Sequence, residues 1–527
     1  MEKMIGVIFG VTSPHIVQFA AAPTDKMMNV WRGQFVMLYD PIQKDKRYLG
    51  RVLKLERRNL LMDETMASQL LNLLRDPDLA LEDIGFRRDI VGEVLIGEVE
   101  IMGVRKNGII EHPKYPFAPG TRIYKADVDF LREQLKPSEE SISIGTLRDE
   151  TDVQAYLDYQ ELVSKHFSVL AMTGGGKSYT VGVIIESLAK DTKLPIVIFD
   201  PHSEYSSLLR AKNDNGKVVS QKVKIFTTKN SSSEKINERF KDRFGVNRAA
   251  TDIYIQLADL ESYQITHLLK ILYDLSDPQR RVLEAVWEEV REERKRSGYL
   301  TIEDIKEIID REGAGVAKEI AVRMLKTKLE LLYKSVLFFK KDVSQPEIEI
   351  ADLVKINRIS VVDLAGLSLP HQQALIAVLS SQILEKRMEG GLPPAFLVFE
   401  EAHRFVPIGS IATASKPTIL KIAQEGRKFL IGMALVSQRP SALDDDALSQ
   451  CNTQIILRLT NPVDQSYVRK VSEWVTSEDL EEVRALPPGE AYIFGPSVRV
   501  SLPVKIRERW TEHGGMTPKI KEELEKF

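Results

Sequence analysis

Residues 167–178 read F-S-V-L-A-M-T-G-G-G-K-S, an apolar run entering a glycine turn that ends in Lys177 and Ser178. A strand that feeds such a turn and then opens a helix leaves backbone N–H groups free to cradle phosphate oxygens. The lysine reaches the outer phosphates and the serine hydroxyl holds Mg2+. Thr173, Gly174, Gly175, Gly176, Lys177, Ser178 and Tyr179 are therefore the candidate nucleotide-binding set. The best-known form of this loop starts with glycine where this chain has Ala171, and Gly174, Gly175 and Gly176 still supply the close backbone approach.

Three further stretches carry groups suited to phosphoryl transfer from ATP. Residues 395–403 read A-F-L-V-F-E-E-A-H, an apolar strand ending in two carboxylates. Strand alternation points Glu400 and Glu401 in different directions. That suits a division of labour in which Glu400 supports Mg2+ through water and Glu401 orients or deprotonates the attacking water. Alone, such a pair also fits a solvated strand rim; the phosphate loop tips the balance. Asp200, in I-F-D-P-H-S-E-Y, ends the strand that follows the phosphate-loop helix, and parallel sheets place ligands at the carboxyl ends of their strands, so Asp200 and Glu204 are expected near the nucleotide. A turn begun by Asp-Pro is the alternative, and it is the reading adopted for His202.

Residues 424–440, Q-E-G-R-K-F-L-I-G-M-A-L-V-S-Q-R-P, hold a strand that ends at Ser437-Gln438. A neutral amide there can sense the γ-phosphate without adding charge, which is the role assigned to Gln438. Arg427 precedes the same strand and so lies near the opposite edge of the sheet from its own nucleotide. It is placed to serve a neighbouring subunit's ATP as an arginine finger, a surface ion pair being the alternative.

The elements that must position these groups fall into two patterns. Up to residue 127, short β-rich segments at 4–11, 15–21, 34–40, 48–55, 91–104 and 122–126 predict a small barrel or sandwich, interrupted by a helix near 63–75. Residues 128–143 read as a connector. From 144 to 505 strands alternate with helices, which predicts an α/β core built on a mostly parallel sheet, with strands at 167–170, 195–200, 359–363, 395–399, 430–437 and 453–458. A final pair at 489–494 and 498–503 is expected to extend the sheet edge. Between about 257 and 339 the strand signal gives way to amphipathic helices, including 280–296 and 316–338, as in a helical insertion; Thr301 with Asp304 forms a capping box before another. Residues 506–527 read as a C-terminal extension ending in a short charged helix, able to brace a neighbour.

A chain of 527 residues calls for two or three domains. With 28% charged residues and no apolar stretch of bilayer length, nothing reads as a membrane anchor or a signal peptide. The single cysteine, Cys451, excludes intrachain disulfides and fits a reducing cytoplasm; with no histidine adjoining it, it is read as a packed thiol. A net charge of −3 excludes a nucleic-acid footprint spread over the whole surface, so any such site is local, as in a ring whose channel alone is basic.

Taken together, M-T-G-G-G-K-S, D-P-H-S-E-Y, F-E-E-A-H, E-G-R-K-F, S-Q-R-P and L-S-Q-C-N-T resemble, in order, the motifs of the HerA branch of the FtsK-HerA family of hexameric DNA-pumping ATPases. The resemblance covers nearly the whole chain. It implies a RecA-like P-loop core with an inserted helical bundle, and an N-terminal HAS-like β-barrel. By position it implies phosphate binding at Lys177 and Ser178, metal and water handling at Glu400 and Glu401, sensing at Gln438 and a trans finger at Arg427. It further implies ATP and Mg2+ as cofactors, a NurA-type nuclease and other end-processing repair proteins as partners, and a role in resecting broken DNA ends in archaea. Ser203 departs from the family's D-P-H-G-E-Y, and Ala171 from its first loop glycine; neither removes a charged group.

The leading expectation is a cytoplasmic homohexameric motor that threads duplex DNA and grips its phosphates, with little sequence preference and steep salt dependence. Aromatic residues lack the basic interleaving of a single-strand stacking platform, which favours duplex. Arg404, Lys416, Lys222 and Lys224 are candidate grips, each also explicable as a solvated charge. The rivals are an ATP-gated ring scaffold that loads a nuclease, and a VirB4- or TraG-like conjugation ATPase. Against the latter stand the barrel-like N-terminus and the lack of a membrane segment.

Overall fold

The computed structural model describes residues 3–21, 30–59, 93–106, 109–227, 250–253, 255–334, 349–409, 413–498 and 500–514. The helix expected at 63–75, the charged helix after 517 and the last residues of the helix expected at 316–338 lie outside them. The chain divides into two compact units, residues 1–139 with 146–155, and residues 140–145 with 156–527.

The first unit is a closed barrel. Its strands are β1 (Met4–Phe9), β2 (Ile16–Ala21), β3 (Phe35–Tyr39), β4 (Arg47–Asn59), β5 (Glu93–Lys106), β6 (Ile109–Glu111) and β7 (Arg122–Lys125). They run in the order β2-β1-β7-β3-β4-β5-β6, and a β2–β5 pairing closes six of them, leaving β6 as the outer arm of a hairpin with β5. Period-2 alternation drives the closure: Val17 and Phe19 of β2 point inward beside Val36, Leu38, Val52, Val99 and Ile101. The Phe19 ring fills the interior only because its neighbours are glycines. A Cβ on Gly97 would stand 2.5 Å from Phe19 Cε1, and one on Gly6 2.7 Å from Phe19 Cδ2. Helix α1 (Val128–Leu135), capped by Asp127, occupies much of the stretch expected to be a connector, whose last residues begin a strand.

The second unit is an α/β core on a twelve-stranded sheet. Its strands are β8 (Ser141–Leu147), β9 (Gln154–Asp158), β10 (Phe167–Leu170), β11 (Ile196–Asp200), β12 (Val223–Thr227), β13 (Thr251–Asp252), β14 (Ile359–Asp363), β15 (Ala395–Glu400), β16 (Ile431–Ser437), β17 (Thr453–Ile456), β18 (Glu490–Phe494) and β19 (Leu502–Ile506). The order is β13-β12-β14-β11-β15-β16-β10-β17-β18-β19-β8-β9. Pairings from β13 to β17 are parallel, and β17–β18 and β18–β19 are antiparallel. Every residue of β10, β11, β14, β15 and β16 is buried, as expected of a sheet covered on both faces. The expected last pair is present but does not form the edge, because β8 and β9 lie beyond it.

Helix α2 (Lys177–Asp191) leaves the glycine loop and leads to β11. Between β13 and β14 stand α3 (Ser262–Tyr273), α4 (Asp277–Ser297), α5 (Ile302–Glu312) and α6 (Glu319–Tyr333). The Thr301–Asp304 capping box forms as expected. This insertion has no core of its own: Trp287, Leu283, Leu325 and Leu329 belong to the same apolar cluster as Phe199 and Phe226 of the sheet and Leu375 of α7 (Leu369–Met388). Trp287 buries its indole and satisfies the N–H on Leu260 O at 2.8 Å.

The chain after β19 returns to α2, so the boundary expected at 506 falls inside the packed core. Glu186, fully buried on α2, accepts from Arg507 Nη1 at 2.9 Å, Arg509 Nε at 3.3 Å, Trp510 N at 2.9 Å, and Thr511 N and Oγ1 at 3.0 and 2.7 Å. Burial pushes this carboxyl up, but Arg509, Thr511, Trp510 and Arg507 outweigh it and hold Glu186 below its ordinary value. A Cβ on Gly182 would meet Arg509 Cζ at 2.7 Å, so the guanidinium lies directly on the helix backbone. Glu186→Ala leaves Arg509 charged and buried without its partner; we expect a loss of about 3 kcal/mol, read as a lower thermal unfolding midpoint, with Glu186→Gln losing less.

Candidate nucleotide-binding and hydrolysis site

The glycine loop is pinned on both sides before it turns. Ala171 N donates to Ser437 O at 3.3 Å beside β16, and Met172 N to Arg458 O at 2.9 Å beyond β17. Gly174 and Gly176 adopt φ of +75° and +90°, the left-handed region that favours glycine, whereas Ala171 does not. That difference explains why the loop tolerates alanine at its first position. Gly176 is the N-cap of α2, so the first free N–H groups of a 15-residue helix face the space a phosphate would fill.

Lys177 is buried and held by both glutamates, its Nζ 2.6 Å from Glu401 Oε1 and 3.0 Å from Glu400 Oε1. The expectation that the two carboxylates point different ways is therefore corrected. Glu401 leaves the strand with φ of +52°, and this left-handed turn swings its side chain back toward Lys177. A non-glycine residue in that conformation costs about 1 kcal/mol or more, strain of the kind that collects at functional sites. Burial pulls the Lys177 ammonium down, but Glu400 and Glu401 outweigh it and raise its pKa. Burial also raises the Glu400 carboxyl, against the opposing pull of Lys177.

Two observations bear on a metal. Ser178 Oγ lies 3.5 Å from Glu400 Oε1, so a hydroxyl and a carboxylate oxygen, the hard ligands Mg2+ prefers, face each other under the loop. Glu401 Oε2 is buried with no hydrogen-bond partner among the described residues. His403 Nδ1 stands 3.3 Å from it but is engaged with Ser437 Oγ at 3.1 Å. The residues fit the ion.

Gln438 reaches the loop from β16: Thr173 Oγ1 donates to Gln438 Oε1 at 2.7 Å. Arg427 lies in a single 3-10 turn before β16, exposed and without an ion pair among the described residues. The seven residues of β16 separate it from Gln438 by roughly 20 Å. Tyr179, the last of the predicted binding set, accepts from Arg509 N at 2.9 Å through its hydroxyl and meets the His513 ring edge-on.

Asp200 is committed to its own loop at the end of β11. It is fully buried, and its oxygens accept from His202 N at 3.1 Å and Tyr205 N at 2.8 Å, closing its own loop. Burial, then the neighbouring Asp363, pushes its carboxyl up to about 8. Ser203 sits at φ of +58°, a conformation in which glycine is at ease, and its hydroxyl recovers part of the cost at Asp363, 2.8 Å from each oxygen. Tyr205, inside the motif already singled out but not assigned a role from sequence, is fully buried and donates to Glu400 Oε2 at 2.6 Å. Its position five residues beyond Asp200 was visible; its contact with a strand almost 200 positions away was not.

The proposed DNA grips fare unevenly. Lys416 is withdrawn, because its ammonium is bonded to Pro407 O, Gly409 O and Asp444. Lys222 is withdrawn too, its ammonium bonded to Ala189 O near the end of α2. Lys224 lies over the buried Phe226 ring, 4.9 Å from its centroid. Arg404 is half-buried and its guanidinium makes no hydrogen bond or ion pair among the described residues. Cys451 is buried, and burial pushes its thiol up, as expected of a packed side chain. Among the described residues no helix is long and apolar enough to cross a membrane.

The family profile described as "Helicase HerA, central domain" matches residues 142–383. The "DNA double-strand break repair helicase HerA" of Pyrococcus furiosus is 28% identical over 96% of this chain and 92% of its own. A "Probable helicase" of Methanocaldococcus jannaschii is 30% identical over 78% of this chain and 79% of its own. Among solved structures, VirB4 of Thermoanaerobacter pseudethanolicus aligns with a TM-score of 0.48 at 14% identity, covering 71% of this chain and 97% of that one.

Glu401 holds Lys177 at 2.6 Å, so a phosphate reaching that ammonium would have to displace it. Glu401→Gln should therefore lower ATP turnover by about 100-fold or more while leaving nucleotide affinity at least as tight as wild type. Steady-state hydrolysis together with fluorescent-nucleotide titration reads both quantities.

Proposed function

The chain belongs to the HerA family of helicases, and from that premise we propose that it is an ATP-driven ring motor that moves along or unwinds duplex DNA in the processing of double-strand breaks. It is an ATPase of the helicase class. The observation that carries the reading is the pair of glutamates around Lys177 beneath the glycine loop, with Arg427 stranded at the far end of β16. The first is a hydrolysis site; the second is a finger with no ATP of its own to serve.

Nucleotide binding exchanges the carboxylates around Lys177 for phosphate oxygens, and the free N–H groups at the start of α2 receive the rest of the charge. Bound at Ser178 and Glu400, Mg2+ would neutralise charge on the outer phosphates. Glu401, with one buried oxygen uncommitted, orients the attacking water. Gln438 links the phosphate loop to β16, so loss of the γ-phosphate is felt along the strand. Arg427 completes the site of the adjacent subunit, which is why a homohexameric ring is proposed. DNA is gripped through its phosphates, with Arg404 and Lys224 left as candidates among the four residues first considered.

A NurA-type nuclease and other end-processing repair proteins are the proposed partners, and the cytoplasm the proposed location, in keeping with one buried free cysteine. The reading is tested by ATP hydrolysis with and without linear duplex DNA, alongside light scattering. DNA-stimulated turnover on a particle of hexamer mass is expected; a monomer with DNA-indifferent hydrolysis overturns it. Arg427→Ala should lower turnover by about 10³-fold or more, and mixing it with Lys177→Ala protein should restore part of the activity at mixed interfaces. No recovery at any ratio removes the trans finger.

A further inference from the structure

We propose that Tyr205 is a positioning residue for hydrolysis, whose phenol fixes the Glu400 carboxylate so that one oxygen is anchored and the other is presented to Lys177 and Ser178. The proposal rests on the reading of Glu400 as the carboxylate that supports Mg2+. Tyr205 donates to Glu400 Oε2 at 2.6 Å, while Glu400 Oε1 lies 3.0 Å from Lys177 Nζ and 3.5 Å from Ser178 Oγ. The two oxygens are thus divided between a structural partner and the ligand side. A terminal carboxylate torsion is broad and soft, so without the phenol the group is free to turn both oxygens toward Lys177.

The phenol is itself held from behind. Tyr205 N donates to Asp200 Oδ2 at 2.8 Å, and Asp200 ends β11, the strand beside β15 in register Phe199↔Phe399. Asp200 therefore stands level with Glu400, and the loop between Asp200 and Tyr205 is a short frame spanning two adjacent strand ends. Ser203, in its left-handed conformation, ties the middle of that frame to Asp363 on β14, the strand on the other side of β11. Three neighbouring strands thus converge on one phenol. A tyrosine there for packing alone would not need its hydroxyl, and the variant that removes only the hydroxyl separates the two roles.

Full-length Tyr205→Phe is compared with wild type in two measurements: fluorescent ADP binding titrated with Mg2+, and ATP turnover. We expect metal-free ADP binding within about twofold of wild type, a Mg2+ requirement raised about 10-fold, and turnover lowered about 10- to 100-fold. In a Glu400→Gln background the same change should alter the Mg2+ requirement by no more than about twofold, since the phenol acts only through that carboxylate. Wild-type Mg2+ dependence and turnover in Tyr205→Phe overturn the proposal, as does an undiminished effect in the Glu400→Gln background. If wild-type protein itself binds ADP without regard to Mg2+, the metal reading of Glu400 fails and the proposal with it. Should Tyr205→Phe not fold, Asp200→Asn tests the same frame, because His202 N and Tyr205 N bond different oxygens of Asp200 and asparagine places an NH2 donor at one of those two positions. The same shift in smaller measure supports the proposal, and wild-type behaviour of the folded variant overturns it.

Discussion

One ammonium and two carboxylates are buried within hydrogen-bonding distance of each other under the glycine loop. Such a cluster loses several kcal/mol per ion in desolvation and regains it only where the partners are held in close, fixed geometry. Fixity is what the rest of the core supplies. β10 delivers Lys177 and β15 delivers Glu400 and Glu401, and β16 lies between them, bonded to both. A parallel sheet buried on both faces is the stiff frame that such a site needs.

The helix that carries Lys177 is held at two further places. At its start, the loop is tied to Ser437 and Arg458 on flanking chain segments. Two turns along, Glu186 collects the segment after β19 through five hydrogen bonds from Arg507, Arg509, Trp510 and Thr511. The end of the described chain is therefore part of what keeps the phosphate loop in place. The helical insertion adds to this rigidity, because it packs into the same apolar cluster as the sheet.

Much of this was legible in order along the chain. The strands β10, β11, β14, β15 and β16 read clearly because short stretches of four to seven residues, mostly apolar and rich in β-branched and aromatic side chains, leave few other fates. Strands β8 and β9 were missed because β8, S-I-S-I-G-T-L, owes its place to the far end of the chain: it neighbours β19, some 350 residues later, in the strand order. β12, V-K-I-F-T, is short and carries a lysine, so its local pattern is weak, and its pairing with β14 crosses the whole helical insertion. The segment 507–511 looked like a tail because arginines and a tryptophan without periodicity give no local sign that a buried glutamate awaits them.

By itself the sequence determined which groups can do chemistry: Lys177 and Ser178 after a glycine turn, two glutamates at a strand end, a glutamine at another, and an arginine before it. Residue type and local spacing suffice for that, since each motif lies on one turn or one strand end. Only the tertiary structure decided what each group faces. It turned Glu401 back onto Lys177 through a left-handed residue, enclosed Asp200 within its own loop, committed Lys416 and Lys222 to backbone carbonyls, and set the Tyr205 hydroxyl on Glu400. Those contacts join residues from two to 224 positions apart, several of them brought together only by the lateral order of parallel strands, which local pattern does not encode.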